Sequence, residues 1–114
     1  MEDFLFCKII SKEIPSEIHR QDEHVTVFKD INPAAPVHML IVPNQHIASV
    51  SESKPGDELL LGKLFSAAKQ IAEDLRIDQS GYRLIINNGP DAHQEIFHLH
   101  MHLLGGGKMQ HPMG

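Results

Sequence analysis

Cysteine occurs once in these 114 residues, tryptophan not at all, and aromatic side chains make up only 5% of the chain. A single cysteine, Cys7, rules out an internal disulfide and fits a reducing compartment. By itself it reads as a small buried apolar residue. Positive charge is scarce as well: 10 Lys and Arg stand against 15 Asp and Glu, a net charge of −5 with histidines neutral, and no basic run occurs. That balance argues against a nucleic-acid polymer as partner. An acidic chain still binds a small phosphate-bearing ligand when backbone N–H groups and imidazoles are aimed at it locally. No apolar run approaches the ~18 residues needed to span a bilayer, and Met1-Glu2-Asp3 is acidic where a signal peptide is basic. The expectation is a cytoplasmic protein with no membrane partner. Repeats, low-complexity tracts and linker-like segments are missing too, so the chain reads as one domain over residues 1–114, large enough to bury a core.

What the chain does have is histidine, and the densest stretch is Phe97-His98-Leu99-His100-Met101-His102-Leu103-Leu104, followed at once by Gly105-Gly106-Gly107. Successive side chains of a β-strand point to opposite faces. On a strand, His98, His100 and His102 therefore project together, while Phe97, Leu99, Met101 and Leu103 cover the other face. Neighbouring imidazoles then lie roughly 6.6 Å apart, close enough for two or three to surround one phosphate-sized group. Three uses fit such a row: a polar face meeting solvent, a metal site built on His-x-His, or acid-base and nucleophilic chemistry by the one side chain that titrates near neutrality.

The remaining segments supply a frame. Phe4 to Ile10 is too apolar for a surface loop and reads as a short helix ended before Pro15. Glu17 to Arg20 and His24 to Lys29 read as a hairpin around Gln21-Asp22-Glu23. Val37 to Val42 is an apolar strand stopped by Pro43, with His38 at its start either a hydrogen-bonded core residue or a member of the site if it faces the triad. Leu60, Leu64, Ala67, Ala68, Ile71 and Leu75 form a helical stripe from about Pro55 to Leu75. Tyr82 to Asn87 is a further strand, and Asn88-Gly89-Pro90-Asp91 a loop. The order predicts an α+β fold: a five-stranded, mostly antiparallel sheet with one long helix and a short N-terminal helix.

With these residues in place, the chain resembles the histidine triad family, and within it the small nucleotide-binding branch. The resemblance runs over nearly the full length. It is carried by Phe6-Cys7-Lys8-Ile9-Ile10 with Lys12-Glu13-Ile14-Pro15, by Phe28-Lys29-Asp30-Ile31-Asn32-Pro33-Ala34-Ala35-Pro36 with His38, by Gly81-Tyr82-Arg83, Asn87 and Gln94, and by His98-x-His100-x-His102-x-x-Gly105-Gly106. It implies hydrolysis of purine nucleoside phosphoramidates or acyl nucleotides at the α-phosphate, a homodimer with joined sheets, and no cofactor. His100 is then the nucleophile, with His98, His102 and His38 as supporting imidazoles. Asp30 takes the ribose hydroxyls, and Leu5, Phe6, Phe28, Ile31 and Leu40 line the base pocket. Asn87, Gln94, Glu95 and Ile96 border the phosphate and the leaving group. A related nucleotidyltransferase branch carries glutamine where His102 stands, which favours transfer to water here.

Elementary chemistry agrees with these roles. A carboxylate only accepts hydrogen bonds and suits a vicinal diol rather than a phosphate, while a neutral imidazole can attack phosphorus and later leave. Several positions depart from the family pattern. Phe4 stands where some relatives begin a zinc-binding Cys-x-x-Cys, and Cys7 with scattered histidines completes no four-ligand set, so no metal is expected. Ala92-His93 replaces the usual Gly-Gly, and Glu95 stands where other members carry serine, changes that bear on leaving-group choice. No tryptophan is present near the C-terminus, where the chain reads His111-Pro112-Met113. The rival readings are a nucleotide-binding or adaptor protein with incidental hydrolysis, and a histidine-rich metal protein.

Overall fold

Alternation and capping explain most of the architecture, which a computed structural model describes for residues 4–112. Leu5–Ile10 forms helix α1, burying Phe6 and Ile9 one turn apart. Ile18–Gln21 (β1) and Val25–Lys29 (β2) pair as the expected hairpin. The turn is tied by Asp22 Oδ1, which accepts the N–H groups of His24 and Val25 at 2.8 Å each. Val37–Pro43 is β3. The long helix begins one turn later than the stripe suggested: Pro55–Asp57 is a 3₁₀ turn, and α2 runs Glu58–Asp74 with Leu75 as its C-cap. Pro55 accounts for the delay, since it lacks an N–H and fits a first turn, while Asp57 Oδ2 accepts the Lys54 N–H at 2.9 Å. Tyr82–Ile85 (β4) and Met101–Gly105 (β5) complete a sheet in the order β1-β2-β3-β5-β4, with every pairing antiparallel.

The two faces of this sheet have different covers. Helix α2 lays Leu64, Ala68, Ile71 and Ala72 over Val25, Val27, Met39, Ile41, Leu99, Met101 and Leu103, and this is the main core. On the opposite face the short helix α1 covers only part of the surface, with Phe6 and Ile9 packed on Phe28, Leu40 and Val42. A six-residue helix spans about 9 Å, much less than α2, and the uncovered remainder of that face is where the site lies. Among the described residues no helix is long and apolar enough to cross a membrane.

One expectation fails in an informative way. The histidine strand, expected over Phe97 to Leu104, starts only at Met101, opposite Ile41 of β3. Upstream of that point the next β3 positions are Val42 and Pro43, and Pro43 offers no N–H. The chain there turns to other partners: Leu99 N–H donates to Ile47 O at 2.6 Å, and the His98 ring takes the Pro43 carbonyl. Strand β4 accordingly stops at Ile85, opposite His102, rather than at Asn87. Leu99, Met101 and Leu103 do enter the main core, but Phe97 remains 38% exposed.

Candidate active site

Departure of residues 97–100 from the sheet gives each histidine a separate environment. His98 is fully buried; its Nε2–H donates to Pro43 O at 2.8 Å, and its Nδ1 faces Cys7 Sγ at 3.7 Å. His100, only 9% exposed, has Nδ1 at 2.7 Å from the carbonyl of His98. A carbonyl only accepts, so Nδ1 carries the proton and Nε2 keeps its lone pair. His102, on β5, contacts His38 of β3 through Nδ1···Nε2 at 2.9 Å. The backbone decides that tautomer too: Ala34 N–H donates to His38 Nδ1 at 2.9 Å, so His38 is protonated at Nε2 and donates to His102 Nδ1. A neutral His102 then presents its Nε2–H. Phe6 steadies the row, standing edge-on to the rings of Phe28, His98 and His100 at centroid distances of 5.3, 5.9 and 5.1 Å.

Burial holds all four imidazoles neutral near physiological pH. It is the main cause of the lowered pKa of His98, which the Pro43 carbonyl opposes, and of His100, which the His98 carbonyl and Asp30 oppose. His38 is lowered by burial against the pull of Asp30. His102 is pushed down to about 4 by burial and then by the charges of His100 and His38, with Asp30 opposing. The Asp30 carboxylate is 3.4 Å from His38 Nε2, and its other oxygen accepts the Asn32 N–H at 2.8 Å.

His100 and His102 line a cavity of about 590 Å³, a size suited to a nucleotide-scale ligand. Around it the structure gathers Leu5, Phe6, Phe28, Asp30, Ile31, Leu40, Asn87, Glu95, Ile96, His100 and His102. It does not bring His98, His38 or Gln94 to the cavity wall. Of the two or three rings expected around one phosphate-sized group, two line the cavity, His100 and His102, whose centroids are 5.1 Å apart. His98 and His38 stand behind them, His98 with its backbone carbonyl on His100 Nδ1 and His38 with its ring on His102 Nδ1. Gln94 is 4% exposed and braces the loop, its Oε1 accepting the Gly89 N–H while its Nε2 donates to Ala48 O and Ile96 O. Ile31 is 87% exposed, at the rim. Sequence reasoning left out Ile9, Ile14, Pro15, Ser16, Lys29 and Asn32 as cavity residues, whereas His93, read from the sequence as bearing on leaving-group choice, does line the cavity. The α1 periodicity from Leu5 to Ile9 could have supplied Ile9, whereas Pro15-Ser16 carries no signal beyond a helix stop.

The histidines are also less scattered around Cys7 than expected. His46 lies beside His98 at a ring distance of 5.0 Å, and ligand atoms of Cys7, His46 and His98 all fall within 4.8 Å of one another. A closed structural zinc site takes four ligands. Phe4 contributes only an aromatic ring 6.4 Å from His46, so these residues do not complete such a site.

An open antiparallel sheet, its less covered face bearing a tautomer-locked imidazole row beside a nucleotide-sized cavity, defines a class of histidine-based phosphoryl or nucleotidyl chemistry. The chain belongs to the HIT domain family, whose model matches residues 11–109. It is 49% identical over 105 residues to the purine nucleoside phosphoramidase of Escherichia coli, covering 92% of this chain and 88% of that protein. Among solved structures it is similar to a HIT family hydrolase from Clostridium thermocellum, at 52% identity and a TM-score of 0.92 over 96% of both chains. A HIT family hydrolase from Legionella pneumophila is 41% identical with a TM-score of 0.93, over 96% of this chain and 98% of that one.

Proposed function

We propose that this chain is a purine nucleoside phosphoramidate and acyl nucleotide hydrolase acting at the α-phosphate through a nucleotidyl-histidine intermediate, without a cofactor. The observation that carries this reading is the fixed tautomer of His100. With Nδ1–H held on the His98 carbonyl at 2.7 Å, the Nε2 lone pair of a neutral imidazole is oriented for attack on phosphorus. The His102 Nε2–H, set from behind by His38, donates to a non-bridging phosphoryl oxygen and stabilises the charge that develops there. The apolar walls from Leu5, Phe6, Phe28, Ile31, Leu40 and Ile96 suit a purine face, and Asp30 suits the ribose diol. Asn87 and Glu95 border the phosphate and leaving-group side, with Gln94 holding their loop. The E. coli relative, named for purine nucleoside phosphoramidate cleavage, supports the same substrate class.

In the first step His100 Nε2 bonds to phosphorus as the leaving group departs. In the second, water displaces His100 and nucleoside monophosphate is released. Splitting the displacement in two makes each step easier. We also read the chain as a single histidine triad domain over residues 1–114, a homodimer joined through its sheet edge, and a cytoplasmic protein. Strand β4 is at an edge of the sheet, and its Tyr82 is 36% exposed; free edges of this kind are paired or covered in stable proteins. The lone cysteine supports the reducing compartment.

Mass spectrometry of protein quenched during turnover tests the mechanism. A mass gain of one nucleotidyl group, mapped to His100, is expected, and His100→Ala should lower kcat on the order of 10⁴-fold or more. An adduct on His98 or His102 overturns the assignment. Tight AMP binding without any turnover favours the binding-protein reading instead.

A further inference from the structure

Helix α1 carries much of the apolar wall that the proposed binding mode gives to the base, yet little in its own sequence holds it in place. It is six residues long, and isolated helices that short are marginal at best in water. Phe4 at its N-cap makes no side-chain hydrogen bond, and its first turn holds no acidic residue. Its last carbonyl, Ile10 O, accepts no backbone N–H among the described residues, as expected of a helix C-terminus. Leu5, Phe6 and Ile9 nevertheless line the cavity, with the Phe6 ring 5.1 Å from that of His100.

The partner that α1 lacks in itself is Gln21, at the end of β1. Its Nε2 donates to Ile10 O and to Thr26 Oγ1, each at 2.9 Å. Among the described residues, the first of these is the only hydrogen bond from a side chain of another element to the backbone of α1. The amide is fixed from behind. Fully buried Thr26 donates to Asn44 Oδ1 at 2.6 Å, and Asn44 Nδ2 donates to the Asp22 carbonyl at 2.8 Å. Gln21 thus has one orientation, since the reverse would set its carbonyl oxygen against that of Ile10.

A β-bulge brings Gln21 to this position. Ile18 is opposite Phe28, but the residue opposite Val27 is Arg20, so the strand holds one extra residue between them. In a regular strand positions 18 and 21 point to opposite faces. With the extra residue Gln21 falls opposite Thr26, on the side of the sheet that α1 and Phe28 share. Bulges beside a site commonly re-aim a side chain in this way.

We infer that Gln21 is a positioning residue for base binding: through Ile10 O it sets α1, and with it the faces of Leu5, Phe6 and Ile9 on which the base packs. This rests on the binding mode of the hydrolase reading above. His100 takes its orientation from the His98 carbonyl, so the effect of Gln21 falls on binding and not on the chemical step.

The test uses Gln21→Ala and Gln21→Glu, the latter keeping the size of the side chain while its carboxylate only accepts. NMR titration gives the affinities for AMP and for ribose 5-phosphate, which lacks the base, and steady-state kinetics gives kcat and KM for an adenosine phosphoramidate. In both variants AMP binding should weaken and KM rise about tenfold, the scale of one hydrogen bond. Affinity for ribose 5-phosphate should stay within about twofold and kcat within about threefold. A merely structural role would lower the unfolding temperature without separating the two ligands. Unchanged AMP affinity in Gln21→Glu, equal weakening of both ligands, or a fall in kcat at constant KM overturns the role of Gln21. Wild type that binds AMP no more tightly than ribose 5-phosphate removes the base wall, and this inference with it. Absence of turnover in wild type, with the affinities as expected, overturns the hydrolase reading alone.

Discussion

Burial of the imidazole row has a measurable consequence for stability. His38, His98, His100 and His102 all have folded-state pKa values below the 6.5 of a free imidazole. For a histidine lowered on folding, the unfolded chain binds protons first as the pH falls. Stability is thus full above about 6.5, declines below it, and levels off once the pH passes the folded pKa. For His102 that window runs from 6.5 down to about 4. Unscreened, the change across it is about 3 kcal/mol. The ring retains some solvent contact, and allowance for screening brings the His102 share to about 1–2 kcal/mol between pH 7.5 and 4.5. Burial of the other three rings adds in the same direction.

Urea denaturation at those two pH values, at fixed protein concentration so that any assembly contributes equally, gives the comparison. With a slope of about 1–2 kcal/mol/M, the His102 share shifts the midpoint by about 1 M. His102→Gln keeps an acceptor for the His38 Nε2–H and removes the titrating ring, so its midpoint should be less pH-dependent than wild type by about that amount. A wild-type midpoint that does not fall between pH 7.5 and 4.5, or a His102→Gln protein with the same pH dependence as wild type, would refute the reasoning.

Asp30→Asn should raise KM for a ribonucleotide substrate by about 10- to 100-fold, the scale of a charge-assisted hydrogen bond; equal sensitivity of wild type and variant to loss of the 2′-hydroxyl would count against the ribose contact. Gly106 has a φ of 82°, and an added Cβ would stand 3.2 Å from both Pro36 Cβ and Val37 Cγ2. Gly106→Ala should therefore cost about 1–2 kcal/mol in denaturant unfolding, against about 0.5 or less for Gly107→Ala, whose nearest contact is an ordinary 3.4 Å and whose φ is not left-handed; equal costs would show that the backbone is not the cause. Light scattering at micromolar concentration should give about twice 12.8 kDa, and a monomeric mass would remove the proposed edge pairing.

How much of this could be read from the chain differs by element, for physical reasons. Helix α2 was legible because its apolar stripe meets a single broad partner, the sheet, so periodicity and burial coincide at Leu64, Ala68 and Ile71. Strands β2 and β3 were legible from dense β-branched and apolar runs. The histidine segment was read correctly in its alternation and incorrectly in its pairing. A period of two requires only an extended backbone, whereas a ladder also requires donors and acceptors on the neighbouring strand, and Pro43 withholds one. Nor could sequence spacing show that Cys7, His46 and His98 converge, since the contacts depend on where that unpaired segment turns.

The same departure from the sheet is what differentiates the histidines. Three rings on one regular strand face would be near equivalents, each sharing the cavity and each of ambiguous tautomer. Once residues 97–100 leave the ladder, the carbonyl of His98 is no longer committed to a strand partner and can take the His100 Nδ1–H, while its ring is drawn behind the row to Pro43. His102, still on β5, keeps its register opposite Leu40 and so meets His38, two residues earlier on β3. Meanwhile Leu99, Met101 and Leu103 stay fixed in the core beneath α2. The alternating pattern thus anchors one side of the segment, and the broken ladder gives the rings on the other side distinct hydrogen-bond environments: His98 on the Pro43 carbonyl, His100 on the His98 carbonyl and His102 on the His38 ring.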